Sequence, residues 1–121
     1  MNFLPFSKKK LGLVITSVAL AALSGLSANV MAADIDADAA QALAKKSNCL
    51  KCHAVDKKKD GPSFKETAGK YKGKADAEEK LFKHLTTSPK VKIDGKEEEH
   101  QSVKSKNDAD ISNLVRWILS R

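Results

Sequence analysis

The chain is short of sulfur, aromatic rings and strand-like patterning. Its only methionines are Met1 and Met31, so no thioether side chain exists beyond residue 31. It has only two cysteines, Cys49 and Cys52, too few for the several bridges of a disulfide-stapled fold. Aromatic residues make up 5% of the chain, and no repeat or low-complexity segment occurs. No stretch alternates apolar and polar residues as a half-buried strand does, which argues against a sheet. The net charge is +7, yet lysine alternates with aspartate and glutamate instead of forming a stripe, which argues against nucleic acid as a partner.

One apolar run approaches membrane-spanning length, Leu11 to Ala28, and it follows the basic cluster Lys8-Lys9-Lys10. It ends in small residues around Val30-Met31-Ala32-Ala33, the three-part pattern of a secretory signal peptide. An uncleaved membrane anchor is the rival reading, but Thr16, Ser17, Ser24, Gly25 and Ser27 dilute the run. The expectation is therefore a signal peptide over residues 1–32, cut after Ala32 or Ala33, and one exported domain over 33–121 with no stable membrane insertion. Cutting after Ala32 leaves 89 residues. The leader takes three of the 22 basic residues and none of the acids, so the remainder carries +4. So small a domain has a thin core and often needs a staple.

The staple is written in Cys49-Leu50-Lys51-Cys52-His53. Two thiols three apart followed at once by an imidazole form the attachment signature of c-type haem. Each thiol adds across one haem vinyl group, and on a helix residues i and i+3 project from nearly the same face. The histidine that follows is placed to offer a nitrogen to the iron. Cys-x-x-Cys also occurs as a thiol–disulfide centre, but that motif belongs in a βαβ setting, which is missing here.

The rest reads as helices. Asp34, Asp36 and Asp38 open the first, at the positive end of its dipole, and it runs up to Asn48. Ala54 to Pro62 is a loop, Ser63 to Lys70 a short helix bearing Phe64, and Asp76 to Leu85 a helix with Leu81, Phe82 and Leu85 on its apolar face. Thr86 to Lys106 reads as a long polar loop broken by Pro89 and Gly95, of the kind that is functional or disordered. The last helix is capped by Asn107 or Asp108, and Ile111, Leu114, Val115, Ile118 and Leu119 form one apolar stripe flanked by Trp117. Packing against the first helix is the simple role for Trp117.

This order of features resembles the small bacterial class I c-type cytochromes, the monohaem electron carriers of the periplasm. The matching features are the leader, the Ala-rich helix with Ala42 to Asn48, the haem motif, Ala54-Val55-Asp56, Gly61-Pro62 and the terminal helix with Trp117. The resemblance implies an all-α fold of four to five short helices around one haem held by Cys49 and Cys52. It implies His53 as proximal ligand, with the Pro62 carbonyl accepting its other N–H. It also implies an electron carrier, not an enzyme, that docks transiently on redox partners; the surface lysines suit an acidic docking face. Lys57, Lys58, Lys59, Lys90 and Lys92 are candidates to frame the haem edge.

The family commonly supplies methionine as sixth ligand, just before the last helix, and here no methionine is left to do so. His100 lies eight residues before Asp108, in the register of the usual methionine, and is the leading candidate. Glu97-Glu98-Glu99 stand where prolines are usual. His84 is the competitor, with a solvated surface role as its plainer reading; Lys96 and Lys104 come third. A second imidazole favours ferric iron and hence a low potential. The alternative is a labile distal ligand and an iron that binds oxygen, nitric oxide or carbon monoxide, with Glu97 to Glu99 steadying the released imidazolium or simply solvated.

Overall fold

The computed structural model describes residues 34–121; the expected leader, its cleavage site and its basic cluster lie outside the described residues. Five helices and one hairpin follow in the order α1 (Ala37–Lys46), α2 (Cys49–Cys52), α3 (Phe64–Tyr71), α4 (Ala77–Thr86), β1 (Lys90–Ile93), β2 (Lys96–Glu99) and α5 (Asp108–Leu119).

Local chemistry sets the helix starts. Asp36 caps α1 by accepting the Ala39 N–H at 2.9 Å, and Asn107 caps α5 by accepting that of Ala109 at 2.9 Å. Ser63 opens α3 in a reciprocal box with Glu66: the Ser63 N–H donates to the carboxylate at 2.7 Å and its hydroxyl accepts the Glu66 N–H at 3.0 Å. That bond holds the Glu66 carboxyl below the usual carboxylate range. Between α1 and α2 the chain turns through Asn48 at φ 60°, a left-handed conformation that asparagine tolerates. The first two helices thus meet at a corner, with the motif on the second.

The apolar stripe of α5 is the centre of the molecule. Ile111, Leu114, Val115 and Ile118 are buried, and α5 packs on α1, α3 and α4. Trp117 is buried too, and its ring meets Phe64 of α3 edge-on at 5.5 Å, so its aromatic partner lies on the third helix. Such a pair adds about 1 kcal/mol beyond the area it buries.

The stretch expected as a long loop contains the antiparallel hairpin β1–β2, in which Lys90 faces Glu99 and Lys92 faces Glu97. Its two-residue turn is Asp94-Gly95, with both residues at positive φ, 49° and 79°. Aspartate and glycine are the residues that this tight turn selects. Glu97 to Glu99 are therefore strand residues, all exposed, with two of them facing lysines. Among the described residues no helix is long and apolar enough to cross a membrane.

Candidate haem site

Cys49 and Cys52 sit one helical turn apart on α2, partly exposed and unbridged. No residue of α2 is buried, so the protein itself leaves this turn uncovered. Burial against its own side pushes the Cys49 thiol up, and Cys52 beside it adds to the rise.

Directly after the turn, the backbone folds around one imidazole. The Gly61 N–H donates to the Cys52 carbonyl at 2.8 Å, closing the loop Ala54 to Pro62 back onto the motif. Closure aims the Pro62 carbonyl at His53, whose Nδ1 lies 2.6 Å from it. Since a carbonyl only accepts, His53 Nδ1 carries the proton and Nε2 is the bare nitrogen. Phe64 stacks on the same ring at 5.6 Å.

Gly61 makes this loop possible. A Cβ there would stand 2.5 Å from His53 Cε1 and 2.9 Å from Nδ1, inside contact distance. Gly61→Ala is expected to displace the His53 ring and break its bond to Pro62. In the visible spectrum of the haem-bearing protein this should appear as a shift of the haem bands; an unchanged spectrum would show that the loop gives way instead of the ring.

The opposite wall comes from the hairpin and α4. The His100 N–H donates to the Pro89 carbonyl at 2.8 Å, extending the hairpin ladder by one pair. Beyond it the Val103 N–H donates to the Leu85 carbonyl at 2.9 Å, and the Lys104 N–H to the Ser47 hydroxyl at 2.8 Å. Ser88 and Ser102 join their hydroxyls across the hairpin base at 2.6 Å. These ties bring the His100 ring to 6.1 Å from that of His53, centroid to centroid.

His84 is only partly at the surface. It is half-buried on α4, and its ring lies 4.4 Å from that of His100. Burial pushes both distal histidines down, with neighbouring imidazoles adding to the effect; His100 falls to about 4. Both are thus neutral, with lone pairs free, at neutral pH. Lys96 lies exposed on β2 and Lys104 is exposed beyond Ser102, with its backbone held by Ser47.

The donor set fits a haem better than a bare ion. Among the described residues no three His, Cys, Asp or Glu side chains converge as an ion's ligands. Two thiols one helical turn apart, followed by an imidazole in a glycine cradle, suit a macrocycle held by its edge.

Sequence reasoning passed over two parts of this site, the hairpin and the burial of His84. Asp94-Gly95 between Lys-Val-Lys-Ile and a charged run was the available signal for the first.

The chain is similar to known proteins over most of the described residues. The family model described as Cytochrome c matches residues 37–121. Cytochrome c-552 of Nitrosomonas europaea is 38% identical over 99 residues, covering 73% of this chain and 80% of that protein. Cytochrome c-551 of Allochromatium vinosum is 38% identical over 81 residues, covering 64% and 80%. Among solved structures, the class 1 cytochrome MtoD of Sideroxydans lithotrophicus ES-1 superposes with a TM-score of 0.69 at 56% identity, covering 72% of this chain and 97% of that one. The wild-type cytochrome c552 of N. europaea superposes at 0.53 with 34% identity, covering 66% and 96%. With the fold, the cysteine pair and these relatives in accord, the chain belongs to the cytochrome c family, as a small class I monohaem electron carrier whose single haem c is attached through Cys49 and Cys52.

Proposed function

We propose that this protein is a low-potential, bis-histidine electron carrier of the periplasm, with His53 and His100 as the axial ligands. The 6.1 Å between the two imidazole centroids carries this reading. Imidazole–metal bonds of about 2 Å on both sides of one metal hold two ring centroids about 6 Å apart. The haem, when bound, supplies an iron that changes by one electron.

The chain's own residues set the direction of that change. Pro62 holds the His53 tautomer so that Nε2 is the free nitrogen. No methionine is available among residues 32–121, so the distal side has no thioether to stabilise ferrous iron. An imidazole in its place donates more strongly and favours the ferric state. Residues 1–32 act in this reading as the cleaved leader, and 33–121 as the carrier domain.

Electrons leave such a domain through a brief docked complex of small area. Leu50, between the cysteines, is an exposed large apolar side chain; Lys51 next to it in the chain, and Lys57 and Lys58 in the loop after the motif, are exposed as well. Lys59 differs: its ammonium is tied to the Leu50 carbonyl at 2.6 Å. An exposed apolar side chain on a motif that is followed by exposed lysines suits an acidic rim on the partner. Raising the ionic strength should slow electron exchange with such a partner.

The deciding experiment is the visible spectrum of the ferrous protein with and without carbon monoxide. An unchanged spectrum supports a closed iron with two protein ligands. A prompt adduct would replace this reading with a gas-binding haem protein.

Acid gives a separate check. Burial and the neighbouring imidazoles push His100 down to about 4 from the ordinary 6.5, and a bond to iron, which needs the bare nitrogen, acts in the same direction. Between those values the unfolded chain binds more protons, so stability falls as the pH is lowered through that window. The ferric spectrum should still be six-coordinate at pH 5, while the melting temperature is already lower than at pH 7. A melting temperature that rises toward pH 5 would contradict the buried, neutral state of His100.

A further inference from the structure

The two imidazoles differ in how their outer nitrogens are held. His53 Nδ1 donates to the Pro62 carbonyl at 2.6 Å. His100 Nδ1 is buried and within the geometry of a hydrogen bond to none of the described residues, although the Gln101 backbone is near enough to the ring to favour its protonated form. A ligating imidazole almost always gives its other N–H to an acceptor, which fixes the ring and strengthens it as a donor to the metal. A buried N–H without one costs the protein its full desolvation.

The ring packed on His100 is that of His84, at 4.4 Å between centroids and 59° between planes. An in-line N–H···N bond between two imidazoles holds their centroids about 5 Å apart, so no closer approach is needed. Bringing a nitrogen into line takes a turn about the Cβ–Cγ bond, whose profile is broad for histidine, and a separation of the rings by about half an ångström. A neutral imidazole keeps one bare nitrogen for this purpose.

The backbone also couples the two residues. Leu85, next to His84, accepts the Val103 N–H, and the Ser102 hydroxyl reaches the Thr86 carbonyl at 3.5 Å. The end of α4 and the segment bearing His100 are thus laced together, so the two rings keep their relation when either element shifts.

We infer that His84 is a positioning residue for the distal ligand, accepting the outer N–H of His100 as Pro62 does for His53. The inference rests on His100 being that ligand. With an acceptor behind it, His100 stays on the iron longer and favours ferric iron more. Simple space-filling by His84 has neither effect.

Two variants of the haem-loaded protein separate these roles. His84→Leu fills the space without an acceptor, and His84→Gln offers an amide oxygen. His84→Leu is expected to speed displacement of the distal ligand of the ferric protein by cyanide about tenfold, within the range that outer partners of metal ligands show. A tenfold loss of preference for ferric iron raises the midpoint potential by about 59 mV. His84→Gln should stay within about threefold of the parent in displacement rate. If His84→Leu matches the parent in rate and potential, or His84→Gln matches His84→Leu, the inference is overturned. His100→Ala, run alongside, tells the two failures apart. If its ferrous spectrum is still indifferent to carbon monoxide, the distal assignment fails and takes His84 with it. If it binds carbon monoxide while His84→Leu is silent, only the role of His84 is lost.

Discussion

Replacing His100 with alanine is expected to turn a ferrous spectrum that ignores carbon monoxide into one that shifts on mixing. With His100 on the iron, as proposed, an external ligand reaches it only in the minor fraction of molecules whose distal imidazole is off. If that open form is on the order of 1% of the population, the apparent affinity for carbon monoxide is lowered about a hundredfold. The ties around His100 argue for a small fraction. Its N–H is bonded to Pro89, Val103 is bonded to Leu85 and Lys104 to Ser47, so letting go of the iron does not free the backbone. Alanine removes the imidazole and leaves those bonds in place, and the open form becomes the whole population. His100→Met tests the same assignment through the potential. Thioether sulfur favours ferrous iron where imidazole favours ferric. A hundredfold swing in that preference raises the midpoint by about 120 mV. Redox titration of the two proteins decides the matter, and an unmoved midpoint would remove His100 from the iron.

Much of this site is legible in the sequence because its parts are local. Cys49, Cys52 and His53 lie within five consecutive residues; one helical turn places the two thiols, and the loop to Pro62, nine residues on, orients the ring. The caps at Asp36, Ser63 and Asn107 are equally local, since each bonds a backbone N–H two or three residues ahead. The stripe of α5 shows because its period is carried by large apolar residues that are all buried or nearly so.

The hairpin is harder to see for a physical reason. Only β1 has alternating apolar residues, Val91 and Ile93, whereas β2 is Lys96-Glu97-Glu98-Glu99 with every residue exposed. Periodicity reports burial, and a strand without burial has none to report. Asp94-Gly95 was the surviving sign, a matter of turn chemistry. The pairing of His84 with His100 is invisible for a different reason. They are sixteen residues apart, on a helix and past a hairpin, and only the bonds from Val103 to Leu85 and from His100 to Pro89 bring their rings together.

A chain that cannot take haem, Cys49→Ala with Cys52→Ala, is expected to lose its cooperative fold altogether. The apolar core explains why. Among the described residues thirteen hydrophobic side chains are buried, and three of them are alanine. That core gathers on α5 and leaves α2 without a single buried residue. Around the motif the protein instead presents His53, His84 and His100, half-withdrawn from water, and leaves the His100 Nδ1 unbonded. Without haem those rings are desolvated for nothing, and the loop from Ala54 to Pro62 closes on a ring that no metal holds. A bound group that engages only the folded chain stabilises it by its whole binding free energy, and a covalent link makes that contribution permanent. Circular dichroism on heating should show a cooperative transition for the haem-bearing protein and a gradual one for the double variant. The near-ultraviolet signal of Trp117, set by its edge-on contact with Phe64, should be absent from the variant at room temperature. A variant that keeps that signal and melts cooperatively within about 8 °C of the parent, a difference worth only about 1 kcal/mol in a domain of this size, would show that the thirteen residues suffice on their own.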